Sequence, residues 1–145
     1  MKSDPSISYR RSPARLDRVV IEAFAETLRG RVARRREFHC LITGDAEVRK
    51  LNRAYRGKDY ATDVLSFPGE GDYLGDIAIS LARARAQAKQ YGHTLEDEVR
   101  ILMLHGLLHL CGMDHETDSG EMARAEARWR KKLGLPSGLV ERSRV

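Results

Sequence analysis

The chain has 145 residues, with 26 lysines and arginines against 21 aspartates and glutamates, and a net charge of +5. This length predicts one domain with its own hydrophobic core, and no apolar run is long enough to span a membrane. The first residues are polar and lack the apolar segment of a signal peptide, so we expect a cytoplasmic protein. Two cysteines, Cys40 and Cys111, are too few for a disulfide framework.

The charge is unevenly distributed along the chain. Residues 1–60 carry a net charge of +7, residues 61–116 of −5, and residues 117–145 of +3. A basic first half beside a more acidic segment is reasonable for an enzyme that holds a polyanion. A solvated arginine-rich surface explains the same pattern equally well.

Apolar periodicity predicts strands and helices that alternate along the chain. The predicted strands cover residues 6–10, 38–42, 64–67 and 74–80. The first three predicted helices begin at Ser12 and Pro13 and end at Gly30, begin at Asp45 and end at Gly57, and cover residues 81–91. A fourth is started by a capping box at residues 94–97 and runs into the histidines, and the last is opened by residues 118–121 and continues to Leu133.

These elements predict an α+β fold with a single domain covering residues 1–145. We expect a small mixed β-sheet of about four strands covered by helices, with a histidine-bearing helix near the C-terminus. The short connection between the third and fourth strands predicts an antiparallel hairpin. Residues 1–5 and the polar tail 136–145 are expected to be flexible.

Three of the five histidines lie within eleven residues, in the pattern H-x3-H-x5-H. His105 and His109 are four positions apart and therefore share one face of a helix. Gly112 follows where a helix that must end uses a left-handed residue, so the chain can return His115 toward the other two. Three imidazoles and one open position are the ligand arrangement of a catalytic zinc site.

The spacing matches the long zinc-protease signature at every histidine and at the glycine. Gly106 replaces the glutamate that serves as general base in those enzymes, which argues against peptide hydrolysis. Cys111 is a possible fourth ligand, although its position two residues after His109 takes it off the ligand face of the helix.

Four stretches together resemble the YbeY-type metal-dependent endoribonucleases, which are also called rRNA maturation factors. They are LNRAYRGKD at 51–59, TDVLSFP at 62–68, LGDI at 74–77 and the histidine motif at 105–115. The resemblance covers roughly residues 36–133. The departures are Ala61, where proline is common, and Met113, where an aromatic residue is common.

The resemblance implies an α+β fold and one Zn²⁺ per chain, bound by His105, His109 and His115. It also implies a single-strand-specific endoribonuclease that acts in maturation of the 3′ end of 16S rRNA and in ribosome quality control. The implied partners are single-stranded RNA, the 16S rRNA precursor and the small ribosomal subunit, with no membrane. Arg56 corresponds to the arginine implicated in RNA handling.

Other interpretations remain open from the residues alone. Arg56 can pair with phosphate, or it can be an exposed helix-end cation. Asp63 and Asp76 can orient an imidazole or cap turns, and turn capping is favoured for both. Asp114 adjoins His115 and is the better candidate for orientation or proton transfer, although it can also cap the final turn. We assign no role to His39 or His93.

Two other functions also fit parts of the pattern. The first is a zinc-containing ribosome assembly factor without catalysis, in which the metal is structural. The second is a hydrolase of peptides or small molecules, of which the peptide version lacks its glutamate base. A metal site closed by a fourth protein ligand would favour a structural metal, and an open position would favour catalysis.

Overall fold

The computed structural model describes residues 7–10 and 15–143. The strands are β1 Ile7–Tyr9, β2 Glu37–Thr43, β3 Val64–Pro68 and β4 Tyr73–Ser80. The helices are α1 Arg18–Arg31, α2 Asp45–Arg56, α3 Leu81–Tyr91, α4 Leu95–Leu110, α5 Glu121–Leu133 and α6 Leu139–Ser143. The prediction of a single α+β domain with a mixed four-stranded sheet is confirmed within these residues.

The sheet has the strand order β1-β2-β4-β3. Strands β1, β2 and β4 are parallel, and β3 runs antiparallel to β4, as the hairpin prediction requires. Strand β3 is therefore an edge strand. Its Ser66 hydroxyl donates a 2.9 Å hydrogen bond to the backbone carbonyl of Gly106, which fixes α4 beside this edge.

Helix α4 lies at the centre of the molecule. It is apolar on every side and buried from Ile101 to Leu108, in the same hydrophobic cluster as α1 and one face of the sheet. A helix that is apolar all round requires partners on all sides. The other sheet face packs against α2, where Val48 contacts the cluster formed with Leu65 and Ala78.

Helix α1 begins later than the sequence predicted. Ser12 and Pro13 lie outside the described residues, and the helix begins at Arg18 with Asp17 as its N-cap. The Asp17 carboxylate accepts hydrogen bonds from the amides of Val19 and Val20, which satisfies two of the free donors of the first turn.

The sequence predicts a polar, flexible tail at residues 136–145, and within it residues 139–143 are helical in the structure. This segment forms α6, and its Val140 side chain is buried in the core. The adjacent apolar residues Leu139 and Val140 explain the difference, because their burial stabilises a helix too short to form alone.

In the part of the chain that the structure describes, no helix is both long enough and apolar enough to cross a bilayer.

Candidate metal centre

The three histidines of the motif converge on one point. Each of His105, His109 and His115 offers a ring nitrogen, and these nitrogens all lie within 4.8 Å of one another. The ring centroids are separated by 4.8 Å for His105 and His109, 5.5 Å for His105 and His115, and 5.7 Å for His109 and His115. These side chains can therefore hold one metal ion, as their spacing predicted.

The return of the chain after α4 depends on one glycine and one aspartate. Gly112 has a φ of 98°, a left-handed conformation that side chains other than glycine rarely adopt. Asp114 then accepts hydrogen bonds on its backbone carbonyl from the amides of Thr117 and Asp118. Its carboxylate accepts a 3.1 Å hydrogen bond from the amide of Glu116. The resulting turn holds His115 opposite α4.

Glu126 of α5 is the carboxylate that contacts the metal-binding group. Its Oε2 atom lies 3.0 Å from Nδ1 of His105, and both side chains are buried. Its other oxygen accepts a 2.7 Å hydrogen bond from the backbone amide of Val140 in α6. When its carboxylate accepts a hydrogen bond from Nδ1–H of His105, the lone pair of the ring is on Nε2 and is available to a metal ion.

The sequence favours Asp114 as the residue that orients an imidazole. In the structure, the carboxylate in contact with an imidazole of the group is that of Glu126, which lies beside His105. Asp114 caps the return turn. Asp63 accepts from the amide of Val64, and Asp76 accepts from the hydroxyl of Tyr73, so both have local roles in the hairpin.

The chemistry of the three donors suits a divalent cation. The pKa of His109 is lowered, first by burial and then by the proximity of His105 and His115, while a hydrogen bond to the backbone of Met113 and the charge of Asp114 oppose the shift. A lowered pKa keeps the imidazole neutral, and a neutral imidazole is the form that binds a metal. Three neutral nitrogen donors fit a borderline-soft ion such as zinc.

Cys111 does not join this group. Among the described residues, the atoms that can share a metal ion are those of the three histidines. The Cys111 side chain packs against the hydrophobic core, and burial raises the pKa of its thiol. A protonated, core-facing thiol is a poor metal ligand.

Gly106 explains why the protease glutamate is missing. A Cβ atom at this position would lie 2.9 Å from Cγ2 of Ile77 and 3.1 Å from Oγ of Ser66. Helix α4 approaches the sheet so closely here that even a methyl group would require Ile77 or Ser66 to shift. A glutamate side chain at this position would disturb the packing further, which agrees with the argument against peptide hydrolysis.

The three histidines open into one cleft with a volume of about 780 Å³. One wall is the edge strand β3, and Arg56 and Lys58 lie at the end of α2 in the same cleft. The family resemblance assigns Arg56 to RNA handling, and the fold places Arg56 in the lining of the same cleft as the histidines.

Comparison with known proteins gives consistent results. A sequence model for the family described as endoribonuclease YbeY matches residues 6–134. Endoribonuclease YbeY of Solibacter usitatus is 64% identical over 137 residues, covering 94% of this chain and 93% of that protein. The Helicobacter pylori protein of the same name (strain ATCC 700392 / 26695) is 38% identical over 135 residues, covering 91% and 94%.

A solved structure also resembles the fold. The solution structure of TM1509 from Thermotoga maritima aligns with a TM-score of 0.60 and 25% identity, covering 90% of this chain and 93% of that chain.

Proposed function

The chain belongs to the YbeY endoribonuclease family, and on that premise we propose that it hydrolyses single-stranded RNA at a zinc ion bound by His105, His109 and His115. The observation that carries the proposal is the convergence of three imidazole nitrogens within 4.8 Å of one another, on side chains that line one cleft. One Zn²⁺ per chain is proposed, because the three donors form one group.

A zinc ion held by the three histidines would supply a Lewis acid for the phosphate and would lower the pKa of water toward neutrality. The chain's own residues supply the rest. Arg56 lines the same cleft, and its planar guanidinium can pair with the phosphoryl oxygens, where negative charge grows during cleavage. Glu126 keeps the His105 ring in one orientation and one tautomer.

The substrate that we propose is the precursor of 16S rRNA, cleaved during maturation of its 3′ end and in quality control of the small ribosomal subunit. The resemblance of the motifs to the rRNA maturation factors supports this proposal. The basic N-terminal half supports binding to a polyanion. Since ribosome assembly takes place in the cytoplasm, we propose that location for the protein.

A structural zinc in a non-catalytic assembly factor is the main alternative. That function would be favoured by a fourth protein ligand, which seals the metal from solvent. The exclusion of Cys111 from the histidine group and the open cleft favour catalysis instead.

The test is cleavage of an unstructured RNA by purified protein, with and without a chelator, beside a His109→Ala variant. We expect cleavage by the zinc-loaded protein that disappears on chelation, returns when zinc is added, and is absent in the variant. Zinc-loaded, folded protein that leaves RNA intact would overturn the proposal. Cleavage that persists in the variant and in chelator would identify a contaminating nuclease.

A further inference from the structure

Tyr91 is an exposed aromatic residue on the wall of the metal cleft. It is the last residue of α3, and it lines the same cavity as the three histidines and Arg56. The residue is 45% exposed, although a ring of this size stabilises a protein most when it is buried. Its position in the cleft of the three histidines makes Tyr91 a candidate for contact with the substrate.

The Tyr91 ring is supported from one side by a buried ion pair. The Arg142 guanidinium carbon lies 4.4 Å from the ring centroid, in cation–π geometry. Arg142 is itself 8% exposed, and its Nη2 atom lies 3.0 Å from Oε2 of Glu98, whose side chain is fully buried. Glu98 also contacts His93 at 2.6 Å and accepts a 2.7 Å hydrogen bond from Gln87.

Two side chains hold the Tyr91 ring while part of it stays exposed. Arg142 packs against one face, and the His93 ring lies nearly parallel to the tyrosine ring, with 6.5 Å between their centroids. Tyr91 is nevertheless 45% exposed, so part of the ring remains accessible in the cleft. A ring that is held in place loses little conformational entropy when a flat ligand stacks on it. His93, to which the sequence assigns no role, contributes to this support through its ring and through Glu98.

We propose that Tyr91 is a stacking platform for one unpaired nucleobase of the RNA substrate. The inference rests on the proposed function, since it assigns a base subsite to the cleft in which that cleavage takes place. Arg56 and Lys58 in the same cleft can hold the sugar–phosphate backbone while the ring takes the base. Stacking on an aromatic side chain is a common way to recognise single-stranded RNA.

The subsite also provides a reason for preference for single strands. A base in a duplex has both faces covered by its neighbours and cannot stack on Tyr91 without being unpaired. An unpaired base reaches the ring without that penalty. The preference would then come from the chain's own side chains rather than from the metal.

The test measures binding separately from cleavage. Fluorescence anisotropy of a short, labelled, unstructured RNA is measured on His109→Ala protein and on the same protein carrying Tyr91→Leu or Tyr91→Phe. Tyr55→Leu is the matched control, because Tyr55 is 72% exposed and lies outside the metal cleft. Circular dichroism confirms that each variant is folded.

We expect Tyr91→Leu to weaken RNA binding roughly 5- to 150-fold, the range for loss of one base–aromatic stack. Tyr91→Phe and Tyr55→Leu should bind like the parent. An RNA with one abasic position should bind the parent more weakly but lose nothing further with Tyr91→Leu. The salt dependence of binding should not change with Tyr91→Leu, since no phosphate contact is removed.

Equal binding by the Tyr91→Leu and parent proteins would overturn the inference and leave the proposed function standing. The inference would also be overturned if Tyr91→Leu weakened RNA binding by the same factor whichever position of the RNA is abasic. The effect of the ring on binding would then not depend on contact with any base. Absence of RNA binding by both the His109→Ala protein and the zinc-loaded protein with all three histidines would overturn both proposals.

Discussion

Nδ1 of His105 and Oε2 of Glu126 lie 3.0 Å apart although 21 residues separate them, and both side chains are buried. A carboxylate in this position orients the ring and raises the basicity of the nitrogen that faces the metal. We therefore predict that Glu126→Gln weakens zinc binding roughly 10- to 100-fold. Competition with a chromophoric chelator measures this affinity, and the visible spectrum of the cobalt-substituted protein reports the ligand geometry.

Glu98→Gln is the matched control for that experiment. Glu98 is also a buried helical glutamate that pairs with a histidine, but its partner His93 lies outside the metal-binding group. Both variants are expected to lose stability, since each alters a buried charge pair. Only Glu126→Gln should lose zinc affinity, and equal zinc affinity in the two variants would show that Glu126 is merely structural.

Arg56→Ala is predicted to slow RNA cleavage by about 100-fold while zinc affinity stays unchanged, because the guanidinium acts on the phosphate and not on the metal. Arg53→Ala is the control, since Arg53 lies on the same helix and outside the cleft. Single-turnover cleavage rates and zinc titrations of the two variants provide the comparison. Cleavage by Arg56→Ala at the parent rate would remove the role of this arginine.

Gly106→Ala and Gly30→Ala should change stability in opposite directions. At Gly106 a methyl group would meet Ile77 at 2.9 Å, and overpacking of about 1–3 kcal/mol outweighs a helix-propensity gain of about 1 kcal/mol. At Gly30 nothing lies within 4 Å of the added carbon, so only the gain remains. Urea unfolding of both variants measures the two signs, and stabilisation by Gly106→Ala would contradict the close approach of α4 to the sheet.

Asp118 gives a pH-dependent prediction. The amides of Met122 and Gly120 donate hydrogen bonds to its carboxylate and lower its pKa. A lowered pKa means that this stabilisation is present above the ordinary aspartate pKa and is lost as the pH falls through the lowered value. Asp118→Ala should therefore reduce the melting temperature at neutral pH, and the difference from the parent should shrink in acid.

The control for this series is Asp72→Ala, because Asp72 is an exposed aspartate in the turn between β3 and β4 and is not part of α5. Its melting temperature should stay close to that of the parent throughout. A difference between parent and Asp118→Ala that stays constant down to strongly acidic pH would contradict the role of the ionised carboxylate.

The sequence was most informative where local geometry decides the structure. The four-residue spacing of His105 and His109 places both on one face of the helix, because an α-helix has 3.6 residues per turn. Gly112 marked the turn, since its left-handed φ is one that few other residues accept. The fold class could be predicted because the order of strands and helices is also set by local apolar periodicity.

The side chains that contact the histidines could not be predicted from local sequence patterns. Glu126 reaches His105 from the next helix, and no spacing rule connects residues 21 positions apart. A signal was nevertheless present in the sequence. Glu126 lies on the same helical face as Met122, which is fully buried, and a carboxylate on a buried face requires a partner.

Helix α6 was missed because its five residues have no periodicity that can be recognised. Its formation depends on tertiary contacts, namely the burial of Val140 and the hydrogen bond from the Val140 amide to Glu126. Local propensity cannot report such contacts.

That hydrogen bond has a consequence for the protein's synthesis. The histidine His105, the glutamate that orients it and the amide that holds the glutamate arrive in that order, over residues 105–140. The orienting contacts are therefore completed only when translation has reached residue 140. A nascent chain that stops earlier carries the histidines without their full support, so a nuclease of ribosomal RNA is not fully assembled while most of it is still being made on a ribosome.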